Sequence, residues 1–226
     1  MCESSQIAAG ESAAVSLERP FVLGAVVLAA GRSSRMGQPK LLLPWRDTSI
    51  LGYLLRQWRL LGAIQIGVVY ARGDCLVQAE LRRLNEAPSD LIVNPAPDRG
   101  MFSSIQCAAG WDRWSGGLTH WAILLGDQPH LQTTTLRKLV SFCSANPHQI
   151  CQPSNKGRRR HPVVVPKAVF MSLPGSSAGT FREFLTGCEV AVCELPDAGL
   201  DLDIDRPEDY ALARQRDEGS GRDLST

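Results

Sequence analysis

Short apolar segments alternate with helical patterns over the first 145 residues of this 226-residue chain. The apolar segments are nearly continuous runs of hydrophobic residues, which is typical of strands that are buried on both faces. Strands that are separated by helices of this length predict βαβ units, in which helices cover both faces of a parallel sheet. The predicted strands are residues 21–29, 64–70, 90–93 and 120–125, and the predicted helices are residues 49–61, 75–84, 103–113 and 133–144.

The pattern changes after residue 145. Two short strand-like segments, residues 148–152 and 161–166, enclose a polar segment that predicts a hairpin or a lid-like insertion. Asp205 followed three residues later by Glu208 forms a capping-box pattern for the last helix. The further predicted elements are helices at 166–171, 179–186 and 206–216 and a strand at 189–194. We therefore expect one domain over residues 20–216, a loosely ordered segment at 1–19 and a flexible tail at 217–226.

The loop after the first strand combines glycines with basic residues. Gly31 and Gly37 allow the backbone to turn sharply and to approach a ligand closely, and Arg35 and Lys40 lie in the same loop. This combination suits a multiply charged anion such as a triphosphate. Ligands of open parallel sheets bind at the carboxyl ends of the strands, so this loop and residues 126–129, which follow another strand, can face one crevice.

Two well-known phosphate loops are absent at this position. A P-loop requires a glycine followed by Lys and then Ser or Thr, but Gln38 follows Gly37. The Rossmann fingerprint G-x-G-x-x-G is also absent. The string over residues 28–40 reads L-A-A-G-x-S-x-R-M-G-x-P-K. It resembles the signature loop of nucleotidyltransferases, above all the molybdenum cofactor cytidylyltransferases and guanylyltransferases.

The resemblance implies a fold and a reaction. The fold is a single-domain α/β three-layer sandwich of the Rossmann-like, GT-A type, with a mostly parallel central sheet. The reaction is the transfer of a nucleoside monophosphate from an NTP to a phosphorylated acceptor, with release of pyrophosphate. Arg35 and Lys40 are the expected catalytic residues, because they would neutralise the triphosphate and the charge that develops in the transition state.

A third loop, residues 94–105, resembles the N-x-x-x-x-x-G-M-x-x-S-L element of the same families. Ser103 or Ser104 in this loop can cap the following helix or bond a base edge. The nucleotide-binding residues that the resemblance implies are Leu28, Ala29, Ala30, Gly31, Ser34, Arg35, Gly37, Lys40, Asn94, Gly100, Met101, Ser104 and Asp127.

Two carboxylates are the candidate ligands of Mg²⁺, which prefers oxygen and often bridges one or two carboxylates to substrate phosphates. Asp127 follows an apolar strand directly, although an Asp at this place could instead cap the next helix. The segment 201–209 resembles the D-I-D-T-P-E-D element of many nucleotidyltransferases, with Arg206 in the place of Thr. In that resemblance Asp205 is the second ligand, and Asp203 is the alternative.

The expected acceptor-binding residues are Gln128, Pro129 and His161. His161-Pro162 resembles the family element G-H-P, but Arg160 replaces the glycine. The segment 174–180 lacks the acidic and basic pair of the family element G-D-x-G-A-R, which leaves the identity of the acceptor open. The basic run at 156–160 suits an anionic pterin phosphate, and a solvated turn explains it equally well.

Ala29-Ala30-Gly31 favours CTP as the nucleotide, because the guanylyltransferases usually have L-A-G-G there. GTP is the alternative nucleotide, and methylerythritol phosphate or a sugar phosphate are alternative acceptors. A non-catalytic carrier of molybdenum cofactor and a nucleotide-binding regulator are the other hypotheses. A molybdoenzyme that receives the product is a possible partner.

The composition excludes several other classes. A net charge of +1 implies no bulk attraction to nucleic acid, and no apolar run is long enough to predict a membrane span. The N-terminus does not resemble a secretory signal. Seven cysteines without a C-x-x-C pair predict reduced thiols, so we expect a cytoplasmic protein.

Overall fold

A central sheet with helices on both faces forms the core of the protein. The computed structural model describes residues 20–87 and 90–220, so the segment 1–19, expected to be loosely ordered, and residues 221–226 of the tail expected to be flexible lie outside the described residues. The sheet order is β10-β7-β9-β6-β1-β4-β5. Its strands are β1 (Leu23–Leu28), β4 (Gln65–Ala71), β5 (Leu91–Asn94), β6 (His120–Leu125), β7 (Ile150–Asn155), β9 (Val163–Pro166) and β10 (Val190–Glu194).

The sheet is mostly parallel, as predicted. Strands β6, β1, β4 and β5 pair in parallel, and so do β10 and β7. β9 is antiparallel to both of its neighbours, which the sequence did not predict. Two short strands, β2 (Pro44–Trp45) and β3 (Thr48–Ser49), form a separate hairpin, and β8 (Arg158–Arg159) pairs with β7.

The helices form two layers because residues of each strand alternate between the faces of the sheet. Ala25 and Val27 of β1 belong to one apolar cluster, and Val26 belongs to the other. The first cluster includes residues of α1 (Ile50–Leu60), α2 (Cys75–Arg83), α4 (Thr133–Ala145) and α7 (Pro207–Ser220). The second includes residues of α3 (Met101–Ala109), α5 (Lys167–Ser172) and α6 (Phe181–Thr186). The three-layer α/β sandwich is therefore confirmed.

Residues 153–160 form a hairpin, which is one of the two predicted alternatives, and not a lid-like insertion. Ser154 of β7 pairs with Arg159 of β8 across a turn at Lys156-Gly157. Both turn residues have positive φ angles, 52° and 72°, which is the conformation that a two-residue hairpin turn needs. The turn presents the basic side chains of β8 at the carboxyl edge of β7.

The last helix differs from its prediction at both ends. Asp209 Oδ2 accepts hydrogen bonds from the backbone N–H groups of Asp205 (3.2 Å) and Arg206 (2.8 Å). The acidic side chain that caps the start of the helix is therefore Asp209, and not Glu208 as the capping-box pattern predicted. At the other end, α7 continues to Ser220 through part of the expected tail. Asp217 pairs there with Arg46 at 2.6 Å, a contact between residues far apart in the sequence. None of the helices in the described part of the chain has the length and apolar character that a bilayer span requires.

Candidate active site

The loops after β1, β5 and β6 converge at the carboxyl edge of the sheet and enclose a cavity of about 340 Å³. Eight of the predicted nucleotide-binding residues line it: Leu28, Ala30, Gly31, Lys40, Gly100, Met101, Ser104 and Asp127. Sequence reasoning missed others that line the same cavity, among them Arg32 and Asp98, whose side chains pair at 2.7 Å across it. We call this space the nucleotide cavity.

The remaining predicted residues of the first loop lie beside or beneath this cavity. Ser34 and Arg35 line a smaller adjoining space of about 210 Å³, which also contacts Lys40 and Asp205. Ala29 is 1% exposed, and its N–H donates to the carbonyl of Val69 at 2.7 Å. Gly37 has a φ angle of 68° at the end of a single turn of 3-10 helix, Ser34–Met36, a conformation that favours glycine.

Lys40 is the centre of the charged cluster. Its Nζ donates to Asp127 Oδ2 at 2.7 Å, to the carbonyl of Ile204 at 3.1 Å and to Asp205 Oδ1 at 3.4 Å. Arg35 pairs with the other oxygen of Asp205 at 2.9 Å. The structure thus brings together the two predicted catalytic cations and the two predicted metal ligands, although Asp127 and Asp205 are 78 residues apart.

The carboxylates of this cluster have oxygens that a metal ion can use. Asp127 Oδ1 is buried and has no hydrogen-bond partner. Among the described residues no group of three or more His, Cys, Asp or Glu side chains could hold a metal alone. The arrangement instead fits Mg²⁺, which is commonly held by one or two carboxylates and by the phosphates of a substrate.

The structure distinguishes between the alternative interpretations of these carboxylates. α4 begins at Thr133, six residues after Asp127, so Asp127 does not cap it. Asp203 Oδ1 accepts a hydrogen bond from Gln128 Nε2 at 2.8 Å, whereas Asp205 contacts both Arg35 and Lys40. Burial, and next the negative charge of Asp127, raise the pKa of Asp203.

The third loop is organised by Asn94, which is 1% exposed. Its Nδ2 donates to the hydroxyl oxygens of Ser103 and Ser104, each at 2.9 Å, and its Oδ1 accepts from the N–H of Ala96 at 2.8 Å. The expectation that a serine caps the next helix is wrong, because α3 already begins at Met101. The Ser103 hydroxyl donates to the carbonyl of Gly100 at 2.8 Å instead.

A second cavity of about 670 Å³ adjoins the first, since Met101 and Leu125 line both. We call it the acceptor cavity. Gln128 and His161, two of the expected acceptor-binding residues, line it, whereas the third, Pro129, is buried and is not among its lining residues. Burial lowers the pKa of His161. The other polar or aromatic lining residues are Gln152, Arg158, Arg159, Arg160, Phe181, Arg182, Thr186 and Asp203.

The arginines of the acceptor cavity are of two kinds. Asp201 pairs with Arg160 at 2.7 Å and with Arg158 at 3.0 Å, and Arg160 is the first cause of the lowered pKa of Asp201. Over residues 20–87 and 90–220, no carboxylate lies within ion-pair distance of Arg159 or Arg182. These two guanidinium groups are therefore available to an anion. The basic run predicted Arg159, but no local pattern indicated Arg182.

Comparisons with known proteins agree with this geometry. Residues 25–188 match the family described as the MobA-like NTP transferase domain. The chain is 30% identical over 192 residues to the molybdenum cofactor cytidylyltransferase of Escherichia coli K12, covering 84% of this chain and 95% of that protein. It is 29% identical over 208 residues to the purine catabolism protein PucB of Bacillus subtilis 168, covering 88% and 98%.

Solved structures give the same result. Rv0371c from Mycobacterium tuberculosis H37Rv superposes with a TM-score of 0.70 at 28% identity, covering 87% of this chain and 98% of that one. A manganese complex of the same protein superposes with a TM-score of 0.66 at 26% identity, covering 86% and 99%. The family match extends over the strand-end loops that enclose the nucleotide cavity, and the two cavities meet at Met101 and Leu125. The chain is a nucleotidyltransferase and belongs to the MobA-like NTP transferase family.

Proposed function

We propose that this protein transfers CMP from CTP to a molybdopterin-type acceptor, in a Mg²⁺-dependent reaction that releases pyrophosphate. The observation that carries the proposal is the junction of two cavities at Met101 and Leu125, one of which is lined by residues of the charged cluster. Lys40 and Asp127 line the nucleotide cavity, and Asp203 and the arginines line the acceptor cavity beyond Met101 and Leu125. A molecule in each cavity would place its reacting group near this junction.

The chemistry needs no catalytic base. A phosphate oxygen of the acceptor attacks the α-phosphorus of the nucleotide, and the bond from that phosphorus to the bridging oxygen of the β-phosphate breaks. The electron pair leaves with pyrophosphate. Lys40 and Arg35 now pair with carboxylates, and in the substrate complex they would neutralise the triphosphate and the leaving group. In this mechanism the enzyme accelerates the reaction by positioning the two substrates and by stabilising the negative charge of the phosphates.

Asp127 and Asp205 are the residues that would hold a divalent cation. The free Oδ1 of Asp127 supports this assignment, because an unpartnered buried carboxylate oxygen is costly without a cation or a donor. A bound Mg²⁺ would supply positive charge between the phosphate oxygens and these carboxylates. The manganese complex of Rv0371c supports the use of a divalent cation.

Several features support CTP and a pterin phosphate as substrates. The cytidylyltransferase of E. coli is 30% identical, and Ala30 stands where the guanylyltransferases usually have glycine. The nucleotide-binding roles of Asn94 and Ala29 would be indirect, since both are buried below the cavity. Gln128 and His161 would contact the acceptor. We place the reaction in the cytoplasm, where an exposed thiol such as Cys75 stays reduced, with a molybdoenzyme as the recipient of the product.

The test is pyrophosphate release with Mg²⁺ and each of CTP, GTP, ATP and UTP, with and without molybdopterin that carries molybdenum. We expect release with CTP only when the pterin is present. Release with GTP instead would keep the reaction and overturn the choice of nucleotide. Tight binding of the pterin without release from any nucleotide would make the protein a carrier and contradict the proposal.

A further inference from the structure

Two side chains that line the acceptor cavity, Gln152 and Asp203, each have an oxygen that accepts no hydrogen bond from the described residues. Gln152 on β7 is 7% exposed and lines this cavity, yet its amide oxygen has no hydrogen-bond partner. Asp203 also lines it, and one of its carboxylate oxygens, Oδ1, accepts from Gln128. A buried polar atom without a partner costs free energy, so the Gln152 oxygen calls for an N–H or O–H donor from a ligand, and the exposed Asp203 carboxylate can accept from the same ligand.

The surroundings of these oxygens define the shape of such a ligand. Phe181 and Leu185 of α6 line the same cavity, so part of its wall is apolar and suits the ring of a ligand. Arg159 and Arg182 line it too, and they suit an anionic group. Asp203 is the only carboxylate among the described lining residues, and the charged side chains that line the rest of the cavity are arginines.

We propose that Gln152 and Asp203 are specificity-determining residues that read the N–H edge of a planar, anionic heterocycle in the acceptor cavity. The inference rests on the proposed function, because it takes this cavity as the acceptor site. A 2-amino-4-oxo ring system such as a pterin presents adjacent N–H donors, which a carboxylate and an amide oxygen bind together. A sugar or polyol phosphate offers neither the flat ring nor this donor pair.

Two small probes separate recognition of this edge from attraction of the negative charge. Pterin-6-carboxylate carries the amino group and a carboxylate, and lumazine-6-carboxylate replaces the amino group with an oxygen. We expect the wild-type protein to bind the pterin about tenfold more tightly than the lumazine, measured by fluorescence or calorimetry, because the lumazine oxygen faces an oxygen of the protein. Equal affinities, or no binding of the pterin at millimolar concentration, would overturn the inference.

Substitutions assign the preference to the residues. Gln152→Met removes the amide and keeps the length of the side chain, and Asp203→Asn replaces the carboxylate with a weaker acceptor. We expect each to reduce the tenfold preference to about threefold or less. Gln149→Met is the matched control just before the same strand. Gln149 donates to Glu189 at 2.9 Å and does not line the cavity, so this variant should keep the full preference.

A structural defect would lower the affinity for both probes, whereas loss of recognition changes their ratio. A full preference in both Gln152→Met and Asp203→Asn would overturn the inference. Pyrophosphate release with molybdopterin reports separately on the proposed function. If the wild-type protein prefers the pterin tenfold but releases no pyrophosphate, the proposed function fails and this subsite stands.

Discussion

The nucleotide cavity and the acceptor cavity adjoin at one edge of the sheet, but they are built differently. Most of the nucleotide cavity comes from continuous loops that leave β1, β5 and β6, and its key groups include backbone and short side chains. The acceptor cavity is lined by long side chains from β7, β8 and α6 and from the segment before α7. Loops at strand ends can be predicted locally, whereas a wall of long side chains depends on pairs formed across the fold.

The charged groups of the two cavities also differ in how exposed they are to solvent. Lys40 makes a compact cluster with Asp127 and Asp205, and its side chain is only 16% exposed. Arg158 is 61% exposed and is held by an ion pair with Asp201. Substitutions in the nucleotide cavity should therefore affect the chemical step strongly, and substitutions in the acceptor cavity should affect the binding of one substrate moderately.

The largest effect is expected for Lys40→Ala. Loss of the cation that faces the triphosphate should lower kcat for pyrophosphate release about 10²–10³-fold, which is typical of removing one charge-stabilising donor. The chain should still fold, because the site contributes little apolar packing. Lys167→Ala is the matched control and should keep the wild-type rate. Lys167 is exposed at the start of α5, and its N–H bonds Thr119 next to the amino end of β6, away from the site at the carboxyl end. Similar rates in both variants would contradict the role of Lys40.

An intermediate effect is expected for Asn94→Ala, which tests the rigidity of the nucleotide cavity. The substitution leaves the hydroxyl groups of Ser103 and Ser104 and the N–H of Ala96 without their buried partner. We expect the free energy of unfolding to fall by about 1–3 kcal/mol in denaturant titrations. KM for CTP should rise while KM for the acceptor stays constant. Unchanged stability would show that the loop does not depend on Asn94.

The smallest effect is expected for Asp201→Asn, because Asp201 acts on the acceptor cavity only through the two arginines with which it pairs. Arg158 and Arg160 lose their ion pairs but stay exposed enough to be solvated. We expect KM for the acceptor to change about two- to fivefold, with kcat and KM for CTP unchanged, because exposed ion pairs contribute about 0–1 kcal/mol. Steady-state kinetics with each substrate varied in turn would measure this. A large fall in kcat would mean that the two cavities are not independent.

The sequence predicted that the loops around the nucleotide cavity meet, for a physical reason. Parallel strands place their carboxyl ends at one edge, so the loop carrying Lys40 and the loop carrying Asp127 had to meet there. Asp205 could be added because its segment resembles a known element, and the structure places it 3.4 Å from Lys40. The buried role of Asn94 was not predicted, because its partners depend on where α3 begins.

The acceptor half could not be predicted in the same way. The basic run at 156–160 was visible, but the pairing of Asp201 with Arg158 and Arg160 joins residues about 40 positions apart. The antiparallel direction of β9 and the extension of α7, where Asp217 pairs with Arg46, also depend on contacts between distant segments. Such contacts leave no periodicity or spacing in the local sequence.

The most direct test of the central claim follows the α-phosphate of the nucleotide. The protein is incubated with Mg²⁺, molybdopterin that carries molybdenum and CTP labelled with ³²P at the α-phosphate, and the products are separated. The account predicts that the label moves to the pterin product while unlabelled pyrophosphate is released, and that Lys40→Ala slows the transfer about 10²–10³-fold. Label that stays in CTP, or that appears only as free CMP, would contradict transfer between the two cavities.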